Sequence, residues 1–165
     1  AQLAMMRRLG ATEGTILVVQ NNLACTYTSI GQLDRALHLR QEVYSAHLRL
    51  SGEEHPQTLT AANNYAHCLV SLQRFEEAKS LFRKIMPVAR RVLGDSHDVT
   101  IRLRLGFALA LYKDPVATLD DLREAVTTVE ETEGIARRVF GGAHPLVGEV
   151  ESALRESRTA LAKVK

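Results

Sequence analysis

Apolar residues recur at spacings of three and four positions along most of the chain, with polar residues between them. This period of about 3.6 residues places the apolar side chains on one face of an α-helix, which we expect to be buried. The pattern predicts an all-α protein with helices at residues 14–30, 33–50, 56–72, 75–93, 115–140 and 145–164. Their buried faces include Leu33, Ala36, Leu37, Arg40, Val43, Tyr44 and His47 in the second helix, and Phe75, Ala78, Phe82, Ile85, Ala89 and Val92 in the fourth.

The same pattern returns after 42 residues. Residues 21–24 read NNLA and residues 63–66 read NNYA, and Ala36 is followed 42 positions later by Ala78. The connector HPQT at 55–58 returns as HDVT at 97–100, also 42 positions later. Self-similarity at a fixed period of about 20 to 50 residues is the signature of a repeat solenoid. We therefore predict an α-solenoid of antiparallel helix hairpins.

The repeat spacing predicts one repeat domain. Residues 1–9 are expected to end a preceding hairpin, so we take the chain as a piece of a longer protein. An insertion of five residues is expected after Tyr112, where Asp114 and Pro115 look like the cap and first turn of a long helix. Pro87 is expected to kink the second helix of repeat 2. The predicted units are repeat 1 at 14–50, repeat 2 at 56–93, a degenerate repeat 3 at 98–140 and a capping helix at 145–164.

These motifs resemble the 42-residue tetratricopeptide repeats of kinesin light chains. The resemblance is carried by the NNLA and NNYA segments, by Tyr27, Gly31, Ala36 and Ala78, and by the HP pairs at 55–56 and 144–145. It implies a right-handed superhelix whose first helices line a concave groove for extended peptides. In that family the repeat Asn side chains hold backbone groups of the bound peptide.

Helical geometry predicts the groove residues independently of the family. Successive residues are about 100° apart on a helix, so each first helix has one stripe that packs inward and an opposite stripe left for a ligand. The last helix contributes Glu149, Ser152, Glu156 and Thr159 to this stripe. The predicted peptide-binding groove comprises Val18, Asn21, Cys25, Thr28, Thr60, Asn63, His67, Val70, Arg102, Leu105, Leu109 and Tyr112, flanked by Asn22 and Asn64.

The paired Asn residues have two interpretations. Their amides can hold a peptide backbone, or they can bridge adjacent helices within the fold. We favour bridging for Asn22 and Asn64, which point toward the flank, and ligand contact for Asn21 and Asn63.

The His and Cys residues are weak candidates for chemistry. His55, His97 and His144 occupy one position in successive connectors, so they should be roughly one hairpin apart and act as helix-start residues rather than metal ligands. His67 faces the predicted groove, where it could bind a carboxylate or respond to pH. Cys25 and Cys68 show no metal-ligand spacing and no evident activating cation. No cofactor or metal is expected.

Composition narrows the function further. The chain has 165 residues and a net charge of +2, with basic and acidic residues interleaved, which argues against a nucleic-acid surface. No apolar run approaches the length of a membrane helix and no signal peptide is evident, so we expect a cytoplasmic protein that binds no membrane.

We interpret the sequence as a non-catalytic scaffold that binds a short extended segment of another protein in its concave groove. The alternative is a structural spacer or self-assembly element of a larger protein, which associates through the open ends of its array. Met5 and Met6 near the start of the chain favour that alternative.

Overall fold

The computed structural model describes residues 4–5, 8, 10 and 12–164. Within them the regular structure is helical, with seven helices between residues 12 and 164. The prediction that residues 1–9 end an earlier hairpin falls mostly outside the described residues. The helices are α1 (Glu13–Ser29), α2 (Leu33–Ser51), α3 (Pro56–Ser71), α4 (Phe75–Leu93), α5 (Asp98–Tyr112), α6 (Leu119–Phe140) and α7 (Pro145–Ala162).

Each helix packs against the next one along the chain, so the helices form hairpins stacked in sequence order. In addition, α3 contacts α5 and α5 contacts α7, whereas α2, α4 and α6 do not approach one another within 8 Å between Cα atoms. On a curved stack the helices on the inner side are the closer ones. The odd-numbered helices therefore form the inner layer, and the even-numbered helices form the outer layer of an α-solenoid.

The connectors between hairpins are built alike, as their repeated sequence predicts. His55, His97 and His144 are each the N-cap residue of a helix. In each case Nδ1 accepts a hydrogen bond of 3.2 Å from the backbone N–H two residues later. The prediction that these His residues start helices is confirmed. The preceding helices end at Gly52, Gly94 and Gly141, whose φ angles of 83°, 87° and 76° favour glycine.

The start of α6 differs from the prediction. Asp114 and Pro115 do not open this helix, which begins at Leu119 behind a capping box formed by Thr118 and Asp121. Asp114 is instead buried, and its Oδ2 accepts a hydrogen bond of 2.9 Å from the Lys79 ammonium on α4. This ion pair ties the inserted loop to the outer layer.

The core lies between the two layers. Ala36 and Ala78 are fully buried, as expected for small residues where the helices of a hairpin cross. The predicted face of α4 is buried except for Val92, which is 37% exposed, whereas the predicted face of α2 is divided between buried and half-buried residues. Pro87 lies inside α4, which continues through it as one helix. None of the described helices is both long enough and apolar enough to cross a membrane.

Candidate functional site

The inner layer is open at one place, between the first two inner helices. Within the described helices, no Cα atom of α1 lies within 8 Å of a Cα atom of α3. The space between them is a cavity of about 270 Å³, which we call the α1–α3 cleft. It is lined by Gly14, Leu17, Val18 and Asn21 of α1, Val43 and His47 of α2, and Gln57, Thr60, Ala61 and Asn64 of α3.

Helical periodicity explains why these side chains face one another. Residues 14, 17, 18 and 21 form one i, i+3, i+4, i+7 stripe of α1, and residues 57, 60, 61 and 64 form the matching stripe of α3. The cleft thus contains three predicted groove residues, Val18, Asn21 and Thr60, and the flanking Asn64. Sequence reasoning missed the remaining lining residues, although the same stripes contain Leu17, Gln57 and Ala61.

The two Asn side chains of the cleft have amides without hydrogen-bond partners among the described residues. Within the described residues neither Asn21 nor Asn64 makes a side-chain hydrogen bond, and Asn21 is half-buried on one wall while Asn64 is half-buried on the other. Each amide can donate and accept. The interpretation of Asn64 as a bridge between helices therefore finds no hydrogen bond to support it, and this Asn is available to a ligand.

His47 is the titratable group of the cleft. It extends from α2 toward the cavity, and burial lowers its pKa below the usual value, with a further lowering by the nearby His55. A lowered pKa keeps the imidazole neutral at neutral pH. No Lys, Arg, Asp or Glu is among the lining residues, so the described walls of the cleft carry no permanent charge.

The next inner interface, between α3 and α5, is closed. The ring of Phe82 from α4 packs edge-on against His67, with ring centroids 5.8 Å apart, and Phe82 is fully buried. A Cβ atom on Gly106 would lie 2.5 Å from Cζ of Phe82 and 2.8 Å from Nε2 of His67. The absence of a side chain at Gly106 therefore permits the close approach of the two helices.

The central predicted groove residue, Asn63, is buried. Asn63 is 6% exposed, and its Oδ1 has no hydrogen-bond partner in the described residues. One turn later on the same helix, His67 Nε2 lies 3.4 Å from the carbonyl oxygen of Arg102 on α5. Burial lowers the pKa of His67, although its bond to the Arg102 carbonyl opposes that shift. The structure therefore places Asn63 in the interior and not in an open groove.

The positions of the α1–α3 interface that correspond to His67, Phe82 and Gly106 of the α3–α5 interface hold different residues. Cys25, Arg40 and Asn64 precede His67, Phe82 and Gly106 by 42 positions each. Arg40 Nη2 lies 3.7 Å from Cys25 Sγ, so the expectation that neither Cys has a nearby cation is wrong for Cys25. Arg40 Nη1 is shielded from solvent and has no partner in the described residues. An arginine thus stands where the next repeat has a core phenylalanine.

The other predicted groove residues divide between exposed and buried positions. Cys25, Thr28, Arg102 and the flanking Asn22 are exposed, and Val70 and Leu109 are half-buried. Leu105 and Tyr112 are 5% and 8% exposed, so these two predicted groove residues belong to the core. Tyr112 donates a hydrogen bond of 3.1 Å to Glu156 of α7. Its pKa is raised, chiefly by burial and in addition by the Glu156 carboxylate.

Cys68 is buried in α3, and burial raises the pKa of its thiol. Among the described residues, no cluster of three His, Cys, Asp or Glu side chains could hold a metal ion.

This architecture, hairpins stacked in two layers with connectors built alike, defines an α-helical repeat protein. The chain belongs to the tetratricopeptide repeat family, whose family model matches residues 15–86 and 57–114. Repeats of this kind generally mediate protein–protein interactions, and the family is generally non-catalytic.

Solved structures that share the fold include kinesin light chain-like repeat proteins. A kinesin light chain protein of Podosopora anserina with nearly identical TPR-like repeats is 22% identical, with a TM-score of 0.78, over 90% of this chain and 68% of its own. A solved variant of that protein gives the same values. BtubC (BKLC) of P. vanneervenii is 17% identical, with a TM-score of 0.67, over 90% of this chain and 61% of its own. No curated protein matches the sequence.

Proposed function

We propose that the chain is a non-catalytic interaction module that binds a short extended segment of a partner protein on its inner face, across the α1–α3 cleft. The observation that carries this proposal is the pair of uncommitted amides, Asn21 and Asn64, on the two walls of an open cleft. An extended peptide offers one N–H and one C=O at every residue. Two carboxamides on facing walls match that pattern, since each can donate and accept.

The exposed groove residues beyond the cleft support the same proposal. Cys25 and Thr28 continue the α1 stripe, and Arg102 lies exposed on α5. A peptide that entered the cleft could continue along these side chains. Asn63 has no part in the proposal, because its side chain is buried.

The test begins with an unbiased display library of 12-residue peptides, selected on the full chain. The affinity of a selected peptide is then measured by fluorescence anisotropy for the wild type and for Asn64→Ala. A hydrogen bond contributes roughly 0.5 to 1.5 kcal/mol net, so Asn64→Ala should weaken binding by about three- to tenfold. The matched control is Asn22→Ala, because Asn22 is the exposed counterpart of Asn64 in repeat 1 and should leave the affinity unchanged.

Equal affinities for both Asn variants would contradict the proposal. So would a library that yields no peptide bound to the inner face. Association of the chain with itself, without perturbation of the inner face, would favour the alternative of a self-assembly element.

A further inference from the structure

We propose that the junction between α2 and α3 is acid-sensitive, because protonation of His55 releases the first turn of α3. The proposal concerns the repeat array itself and does not depend on peptide binding. It rests on a difference among three connectors that share one capping geometry.

The cap at this junction requires a neutral imidazole. His55 Nδ1 accepts a hydrogen bond of 3.2 Å from the N–H of Gln57, one of the backbone donors that have no partner inside the helix. A ring nitrogen that carries a proton cannot accept. A positive charge is also unfavourable at the N-terminus of a helix, where the macrodipole is positive. Histidine side chains change their charge between about pH 5 and 8, so mild acid is sufficient.

The equivalent caps at the other two connectors each have a neighbour that stabilises a charged ring. Nδ1 of His97 lies 3.0 Å from Oδ1 of Asp98. The ring of His144 stacks on the ring of Phe140, with centroids 4.5 Å apart and an interplanar angle of 21°. A carboxylate and an aromatic face both attract a cation. Protonation of these two His residues is therefore partly compensated in the folded state.

His55 lacks such compensation. Among the described residues it forms no ion pair with an acidic side chain, in contrast to His97. The two acids that precede it in the connector are directed elsewhere. Glu54 pairs with Arg91 of α4, and Glu53 lines a separate cavity. The folded connector therefore offers the charged ring of His55 no counterion.

The helices packed around the junction add positive charge. His47 of α2 is near His55, since its pKa is lowered by burial and in addition by that residue. Lys84 of α4 lines the same cavity as the acid before Glu54. The walls of α1 and α3 around His47 are uncharged, and Glu13 at the start of α1 is paired with α2. When both rings are protonated they repel each other, and separation of α2 from the start of α3 relieves the repulsion.

The junction has a particular place in the array. Of the two described helices of repeat 1, α2 packs on α3, whereas α1 has no Cα atom within 8 Å of one in α3. The attachment of repeat 1 to repeat 2 therefore depends on the α2–α3 packing. Release of the first turn of α3 in acid weakens that attachment.

The experiment replaces the His cap with one that does not titrate. Asn is among the best N-cap residues, so His55→Asn keeps a hydrogen bond to the first turn of α3 at every pH. The matched control is His97→Asn, because His97 has the equivalent position and a carboxylate beside it. Amide exchange of the isotope-labelled chain is followed by NMR at pH 7 and pH 5, and each rate is expressed as protection relative to the unfolded chain.

We expect the Gln57 amide of the wild type to lose protection by about three- to tenfold between pH 7 and pH 5, and that of His55→Asn to retain it. Over the same range the melting temperature should fall by about 2 to 4 °C less for His55→Asn than for the wild type. His97→Asn should follow the wild type. Melts at pH 7 establish that both variants fold.

Two results would overturn the proposal. One is a Gln57 amide whose protection changes equally with pH in the wild type and in His55→Asn. The other is a control variant, His97→Asn, that reduces the pH dependence of the melting temperature as much as His55→Asn does. No peptide is present in these measurements, so their outcome leaves the proposed binding function untouched.

Discussion

The α1–α3 and α3–α5 interfaces are formed by equivalent positions of successive repeats, yet one is an open cleft and the other is closed. At the open interface the three equivalent positions hold Cys25, Arg40 and Asn64, and at the closed one they hold His67, Phe82 and Gly106. The closed set combines a buried ring with a position that has no side chain. The open set has a charged guanidinium and an amide in the same places, and both side chains are half-buried.

A third set continues the trend along the array. At the α5–α7 interface the positions equivalent to His67, Phe82 and Gly106 hold Leu109, Val129 and Ala153. Val129 and Ala153 are 0% and 3% exposed. The inner interfaces thus change from polar to apolar toward α7. The same backbone repeat therefore forms one end where the inner helices touch and another where they stay apart.

The largest effect should come from removing the ring that fills the closed interface. Phe82→Ala leaves a cavity at a fully buried position and should lower the free energy of unfolding by about 3 to 5 kcal/mol. Its counterpart Arg40→Ala removes a half-buried side chain from the open interface and should remain within about 1 kcal/mol of the wild type. Urea denaturation followed by circular dichroism measures both, and equal losses would contradict the comparison.

Transplanting the closed set into the open interface should abolish the cleft. The triple variant Cys25→His, Arg40→Phe and Asn64→Gly should bring α1 and α3 into contact and weaken the selected peptide by more than about tenfold. A crystal structure of the variant would show whether the cavity is gone. Retained affinity in a variant with a closed cleft would show that the peptide binds elsewhere.

The close approach at Gly106 predicts opposite effects for two identical substitutions. Gly106→Ala should lower the free energy of unfolding by about 1 kcal/mol, because crowding against Phe82 and His67 outweighs the gain in helix propensity. Gly134→Ala is the matched control, since a Cβ atom there meets nothing within 4 Å. That variant should gain about 0.5 to 1 kcal/mol. Denaturation midpoints that move in the same direction would rule out the packing argument.

The smallest effect concerns pH and involves one His from each interface. The pKa values of His47 and His67 are lowered by burial, whereas the unfolded chain has its usual value of about 6.5. The unfolded state therefore binds more protons below about pH 6.5, and the stability held above that pH is lost as pH falls through the lowered pKa values. The double variant His47→Gln and His67→Gln should flatten this dependence in melts between pH 7 and 5. An unchanged slope would exclude these two groups.

The sequence predicts the helices and connectors well because their signals are local. The N-capping His residues, the terminal glycines and the apolar stripes all act within a few positions of one another. The start of α6 is different, because Asp114 pairs with Lys79, which is 35 residues away. Asp114 does cap a local turn, because its Oδ1 accepts a hydrogen bond of 3.0 Å from the Val116 N–H. Only the packed fold shows that its Oδ2 pairs with the buried Lys79.

The site could be predicted in part for the same reason. Helical geometry places Asn21 and Asn63 on equivalent stripes, and both therefore look like groove residues. Which of them remains accessible depends on the residue that the facing inner helix presents. Asn64 of α3 faces α1, whereas Gly106 of α5 packs against α3. That difference is visible in the sequence as the replacement of the paired Asn in repeat 3, but its meaning requires the interhelical packing.

The most direct test of the open cleft follows the side-chain amide resonances of Asn21, Asn63 and Asn64 by NMR during titration with the selected peptide. All three are the same chemical group in one repeat array, so the buried Asn63 is an internal control. We predict that the Asn21 and Asn64 resonances shift together with peptide concentration, whereas the Asn63 resonance does not. A shift of Asn63 with Asn21 and Asn64 unperturbed would contradict the account.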